Sequence, residues 1–298
     1  MRGRRVAVAL LALLSCTQSQ PASVSSRGPA SGGTSPAASP THPNRSPAPP
    51  VFVFAVKGDW GAGTRAQQQV TDEMCAIRKT VTFKYIVTTG DNFYNPDGIA
   101  TQSNYYGPER CLTSYPGNEW RAVWGNHDLA GPSTGTVLGA PSRYYTWNVS
   151  STQFFMLDAN DPGNPAQRSW LARALRESRA PVKIVVFHQP AFTSGLHPDN
   201  TSAQRNWVPV FERYHVTLVL TGHNHDYEHL RVGGIDYVVT GGGGQSSYPC
   251  LRVEPGAVRC VSAYHFLLVT VGAGSATVRA IRPSGEELDE FKIEVPGA

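Results

Sequence analysis

Residues 51–61 read VFVFAVKGDWG: an apolar run, β-branched or aromatic at five of its first six positions, stops at Lys57, and Gly58-Asp59 follows. The same pattern recurs in YIVTTGDNFY (85–94), RAVWGNHD (121–128), VKIVVFH (182–188) and VTLVLTGHNHDYE (216–228). Runs this apolar read as strands covered on both faces, as do QFFMLD (153–158) and IDYVVTG (235–241). Helical patterns fall between several of them. Val70, Met74 and Ile77 share one helix face. Asn164-Pro165-x-Gln167 is a helix start with a cap, a proline at the first position and a capping-box glutamine. Ser202 is a candidate cap for another helix, which Pro209 should kink or restart. The tail runs HFLLVTV (265–271), ATVRAI (276–281) and FKIEV (291–295) read as consecutive antiparallel strands. Strand–helix alternation followed by strands predicts one α/β domain with a mixed sheet system.

The rest of the 298 residues is different in texture. The formal charge of +4 is unevenly placed: Arg2, Arg4, Arg5, Arg27 and Arg45 face no acid in residues 1–50. Residues 51–298 therefore carry 26 − 5 = 21 bases against 22 acids, a formal −1. That is no footprint for nucleic acid, and no nucleic-acid partner is expected. The basic start leads into the short apolar run Val6–Leu14, too short to span a bilayer, which needs about 20 residues, and shaped like an export signal over residues 1–16. Its end, Leu13-Leu14-Ser15-Cys16, resembles a bacterial lipobox, in which the cysteine is lipidated; ordinary cleavage nearby is the alternative, and either predicts an exported protein, lipid-anchored or secreted. Residues 17–50 hold eight Pro, eight Ser and three Gly, and too little apolar surface to offset ordering, so a flexible tether is expected. The remaining 51–298 is the expected catalytic domain.

Strand ends are where an open α/β fold builds its ligand crevice. Asp59, Asp91, Tyr94, Asn126, His127, His188, His223 and His225 all sit just past apolar runs, and four of the nine histidines lie in these five segments. Each taken singly reads as a turn, a cap or an ordinary polar contact; five such ends in one chain do not. Carboxylate, imidazole, amide and phenolate together suit Fe, Mn or Zn rather than a thiolate site. Seven potential ligands among these eight residues exceed one tetrahedral zinc and suit two metals sharing a carboxylate, the arrangement that clamps both oxygens of an in-line phosphoryl displacement.

GDWG, GDNFY, GNHD, VVFH and GHNH, in this order, resemble the signature blocks of the calcineurin-like metallophosphoesterases. The tyrosine in GDNFY resembles the purple acid phosphatase branch, and the chain's wording is most similar to the small, tartrate-resistant type over about residues 51–245. The resemblance implies a four-layer α/β/β/α sandwich with two mixed sheets. It implies that Asp59, Tyr94 and His225 hold Fe(III), that Asn126, His188 and His223 hold a divalent Fe, Zn or Mn, and that Asp91 bridges them. It places His127 and His197 beside the substrate phosphate, although His197 also reads as a plain loop residue before Pro198. The implied activity is acid hydrolysis of small phosphate monoesters by in-line attack of a metal-bound hydroxide. A phosphodiesterase or nucleotide hydrolase with the same metals is the alternative, and a non-catalytic phosphate- or partner-binding surface protein is a third reading.

Four further features stay secondary. The glycine run Gly241–Gly244 lacks a phosphate-loop lysine and reads as a turn. Asp226, Tyr227 and Glu228 either line the pocket or cap the next segment. Trp60 and Trp124 read as packing residues. With Cys16 spent on an anchor, Cys250 and Cys260 flank the turn signal Glu254-Pro255-Gly256 and should bridge a hairpin, leaving Cys75 and Cys111 to pair by elimination.

Overall fold

The computed structural model describes residues 51–295, so the expected export signal, Cys16 and the tether lie outside the described residues. Strands β1 (Phe52–Lys57), β2 (Tyr85–Thr88) and β3 (Glu119–Ala122) open the chain. They are followed by β4 (Tyr145–Val149), β5 (Thr152–Met156), β6 (Val182–Val186), β7 (Leu218–Thr221), β8 (Tyr227–Val232), β9 (Ile235–Thr240) and β10 (Ala257–Val261). The tail forms β11 (Phe266–Gly272), β12 (Ser275–Ile281) and β13 (Glu287–Glu294). Two sheets result, ordered β13-β12-β11-β1-β2-β3 and β10-β8-β9-β7-β6-β5-β4. In the first, parallel β1-β2-β3 form one edge and continue into antiparallel β11, β12 and β13; in the second, a parallel centre β5-β6-β7-β9 is flanked by antiparallel β4 on one side and by β8 and β10 on the other. Both sheets are mixed, and the tail strands pair antiparallel as expected.

The layering follows from the period of two along a strand. In β5 and β6, Phe154, Met156, Ile184 and Val186 face the core between the sheets, while Phe155 and Val185, with Phe187 just past β6, face the opposite side. Phe54 of β1 meets Phe154 edge-on, ring centroids 5.1 Å apart. The outward side chains are covered by α4 (Pro165–Glu177), α5 (Thr201–Asn206) and α6 (Val208–Arg213) through Leu171, Leu175, Ala203 and Phe211. On the far side α1 (Arg65–Ile77) buries Val70 and Met74, and Lys57 of β1 reaches its Thr71. The single turns α2 (Arg110–Thr113) and α3 (Ser133–Thr136) lie in the β2–β4 connections. Helix, sheet, sheet, helices: the chain is the four-layer sandwich. No helix among the described residues is long and apolar enough to cross a membrane.

Local departures from expectation have local causes. Asn164 does cap α4, accepting from the Ala166 and Gln167 amides. Gln167, however, does not close a capping box: its amide accepts from Asp158 N (2.8 Å) and donates to Asp158 O (3.1 Å), tying α4 to the end of β5. The cap of α5 is Asn200, not Ser202, and the chain restarts as α6 at Val208-Pro209. β3 ends at Ala122, so Trp124 and Gly125 already belong to the loop. Both disulfides form: Cys75–Cys111 links α1 to α2, and Cys250–Cys260 links an irregular segment to β10. The second is not a bridge between two hairpin strands. It closes a loop around a turn in which the Ala257 amide donates to Glu254 O (2.9 Å) and Gly256 takes φ 88°.

His265, just before β11, is wholly buried, its ring between Thr240 Oγ1 (3.0 Å) and Ala263 O (3.0 Å). Burial pushes its pKa down from 6.5 to about 4. Between those values the unfolded chain binds a proton that the folded chain refuses, so stability falls as pH drops from 6.5 to 4. The expected loss is about 3 kcal/mol, and His265→Gln should flatten that part of a denaturation-versus-pH curve. An unchanged slope in the variant would remove His265 as its source.

Candidate metal centre

β1, β2, β3, β6 and β7 all deliver their C-terminal ends to one mouth, and the residues singled out in the sequence stand there together. Asp59 (φ 56°), Asp91 (φ 46°) and His223 (φ 71°) each follow a glycine and adopt the left-handed backbone region, three of five non-glycine residues that do so among those described. Such strain persists only where surrounding structure enforces it, and it clusters at functional sites. Here it turns each side chain back over the strand end.

The donors fall into two groups. In one, the Tyr94 hydroxyl lies 3.2 Å from Asp59 Oδ1 and 3.1 Å from His225 Nε2, which is itself 3.4 Å from Asp59 Oδ1. In the other, His188 Nε2 lies 3.1 Å from Asn126 Oδ1 and 3.3 Å from Asp91 Oδ1. Ligand atoms of Asp91, His188 and His223 lie within 4.8 Å of one another. His127 and His197 flank this arrangement. The His127 ring rests on Tyr94 (centroids 4.5 Å) and its amide donates to Asp91 Oδ1 (2.9 Å). The His197 ring stacks on His223 (4.3 Å). All nine predicted residues are therefore brought together; Asp59 and His188 form the buried floor, and the other seven line a cavity of about 420 Å3.

The electrostatics suit cations. Burial pushes the Asp59 carboxyl above its usual range, although His188 and His225 pull it back. Burial also acts upward on Asp91, but His188 and the His127 amide overcome it and hold that carboxyl well below the usual range. The Tyr94 phenol is driven far up by burial and by Asp59 and Asp91. Burial alone would depress His188, yet the two carboxylates raise it to about 9; His223, buried beside His188 and His197, falls to about 3. His188 Nδ1 sits 2.9 Å from Thr89 O and His225 Nδ1 sits 2.8 Å from Ser246 O. A neutral ring donating there turns an Nε2 lone pair toward carboxylate, amide and phenol oxygens. Either a proton or a metal cation satisfies lone pairs that face one another in this way, and the oxygen and nitrogen donors present fit a metal ion.

The residues that support these donors are only partly legible in the sequence. Asp128, buried and raised to about 7 by burial and by Asp91, accepts from the amides of Asn92, Phe93 and Gly125, joining the GDNFY and GNHD loops. Any Cβ at Gly125 would stand 2.1 Å from Asp91 Oδ1, so only glycine fits. The run Gly241–Gly244 is not a plain turn: it packs on the first loop, with Gly243 N bonded to Gly58 O (2.9 Å) and Gln245 N to Asp59 O (3.0 Å). Tyr248 stacks on His225 (4.0 Å) and, with Gln245 and Ser246, completes the cavity wall; the only sequence hint was that glycine run. Tyr227 and Glu228 lie beneath the site: Tyr227 donates to Asp289 (2.8 Å), and Glu228 accepts from Thr193 and Ser194. Trp60 is a packing residue, fully buried and stacked on Trp120 (5.5 Å).

The family described as calcineurin-like phosphoesterase matches residues 52–227, and the chain belongs to that family. Its relatives include tartrate-resistant acid phosphatase type 5 of Oryctolagus cuniculus, 27% identical across 84% of this chain and 92% of the relative. Purple acid phosphatase 3 of Arabidopsis thaliana is 26% identical across 65% and 63%. Among solved structures, purple acid phosphatase PPD1 from yellow lupin seeds superposes with a TM-score of 0.72 at 15% identity, over 83% of this chain and 54% of that one. GAP50, the anchor in the inner membrane complex of Plasmodium, gives 0.72 at 17% identity, over 82% and 89%. These two likenesses concern the fold alone.

Proposed function

We propose that the protein is an acid phosphatase hydrolysing phosphate monoesters at a pair of metal ions. Asp59, Tyr94 and His225 would hold Fe(III), Asn126, His188 and His223 a divalent Fe, Zn or Mn, and Asp91 would be shared. The observation that carries this reading is the split of the donors into two groups, one built around a tyrosine. A phenolate is a hard donor suited to ferric iron. When bound, the pair supplies a strongly acidified water as nucleophile and a positive surplus over the three anionic ligands Asp59, Asp91 and Tyr94.

The chain's own residues do the remainder. His127, resting on Tyr94, and His197, stacked on His223, would donate hydrogen bonds to phosphoryl oxygens and orient the ester. One of them protonates the leaving alkoxide. The cavity wall of Tyr248, Gln245 and Ser246 bounds the space for the leaving group. Export, with a lipid anchor at Cys16 or release after cleavage, and a tether over 17–50 complete the proposal; two disulfides suit an oxidising compartment.

The experiment is a side-by-side assay of an aryl phosphate monoester and its bis-aryl diester across pH. The monoester is expected to be favoured by at least about tenfold in kcat/KM, about 1.4 kcal/mol of transition-state preference, with activity on the acid side. Preference for the diester would assign a phosphodiesterase instead, and turnover of neither by metal-loaded protein would leave a binding role.

A further inference from the structure

We infer that Asn224 and Arg252 are positioning residues that grip the backbone of His197 from two sides and so hold its imidazole over the mouth; the inference rests on the phosphatase reading above. Asn224 stands between His223 and His225 and is wholly buried. Its side-chain amide matches residue 197 as a neighbouring strand would. Oδ1 accepts from the His197 amide (2.7 Å), and Nδ2 donates to the His197 carbonyl (3.2 Å) and to Thr193 Oγ1 (2.6 Å). The loop passes so close that a Cβ on Gly195 would lie 2.6 Å from Asn224 Cγ. From the other side the Arg252 guanidinium donates to Gly195 O (2.8 Å) and His197 O (3.1 Å) and pairs with Asp199 (3.4 Å).

Arg252 is itself held. The Leu251 and Arg252 amides bond Ser194 O (2.9 and 3.2 Å), the Glu254 amide bonds Ser194 Oγ (3.1 Å), and Cys250–Cys260 ties the segment to β10. One buried amide and one fork-shaped cation thus hold both peptide groups of His197 and the Gly195 carbonyl in a loop that has no strand or helix of its own. His197 then stacks on His223 at 4.3 Å and meets Tyr248 edge-on at 5.5 Å. A loop histidine becomes a fixed one.

Two arms test this. In the first, hydrogen exchange is followed in Arg252→Ala and Asn224→Ala. Amides of the 193–199 loop should exchange at least about tenfold faster, while β6 and β7 stay as protected as in the parent and bound metal, measured by elemental analysis, stays within error in Arg252→Ala. Unchanged loop exchange overturns the clamp whatever the activity. In the second, Arg252→Ala should lower monoester kcat by about 10-fold, and the same substitution in a His197→Ala background should cost nothing further, because it acts only through that ring. Equal losses in both backgrounds would overturn the positioning role. A parent protein that turns over no monoester fails the phosphatase reading instead, and loop exchange still decides the clamp.

Discussion

Asp91→Asn is expected to reduce phosphoester turnover by more than about 10³-fold, a loss near 4 kcal/mol of transition-state stabilisation. The substitution is isosteric, and an amide oxygen still accepts from the His127 amide, so the loop keeps its shape. What it removes is the charge. Asp91 lies 3.3 Å from His188, and its ligand atom falls within 4.8 Å of those of His188 and His223. In the proposed two-metal centre a neutral amide there would weaken the hold on both metals at once, so bound metal should fall as well as rate. Circular dichroism and thermal melting in chelator establish that the variant folds; elemental analysis and kinetics read the effect. A variant with parental metal content and a rate within tenfold would show that Asp91 is not the shared ligand.

The second large effect concerns stability, away from the mouth. Lys57 and Glu109 are wholly buried and paired at 2.8 Å, and Glu109 Oε1 also accepts from Thr71 (3.0 Å) and Gln67 (2.9 Å). Burial pulls the Lys57 pKa down against the opposing pull of Glu109. Glu109→Gln leaves an ammonium without its counter-charge, which costs about 3–5 kcal/mol. For a domain of this size the melting temperature should drop by roughly 10 °C. The double variant Lys57→Met/Glu109→Leu should recover much of that loss, since apolar pairs of similar volume often match buried ion pairs. A double variant as unstable as the single one would locate the cost in lost shape rather than in stranded charge.

The fold and the site were legible in the sequence to different depths. Strands buried on both faces advertise themselves, which is why β1, β2, β6, β7 and β9 stand where their apolar runs predict. β8 and β10 do not: β8 buries Glu228 and His229, and β10 is a partly exposed edge, so neither shows an apolar run or alternation. Residues whose chemistry needs a type at a strand end, such as Asp59 or His223, could be read from type and place. Asn224 and Tyr248 could not. Asn224 acts through one loop's backbone and Tyr248 through a ring face, and neither contact has a sequence period. The two disulfide pairings followed from a turn signal and a count, whereas the partners of Arg252 depend on how a loop without regular structure lies across another.

The central claim is a two-metal centre that includes a tyrosine-bound ferric ion. The most direct test is elemental analysis together with the visible spectrum of the purified protein, beside Tyr94→Phe. The expected result is close to two metal ions per chain, at least one of them iron, and a visible phenolate-to-iron band that disappears in Tyr94→Phe while most of the metal stays bound. A colourless parent protein with one metal or none, or a band that survives in Tyr94→Phe, would contradict it.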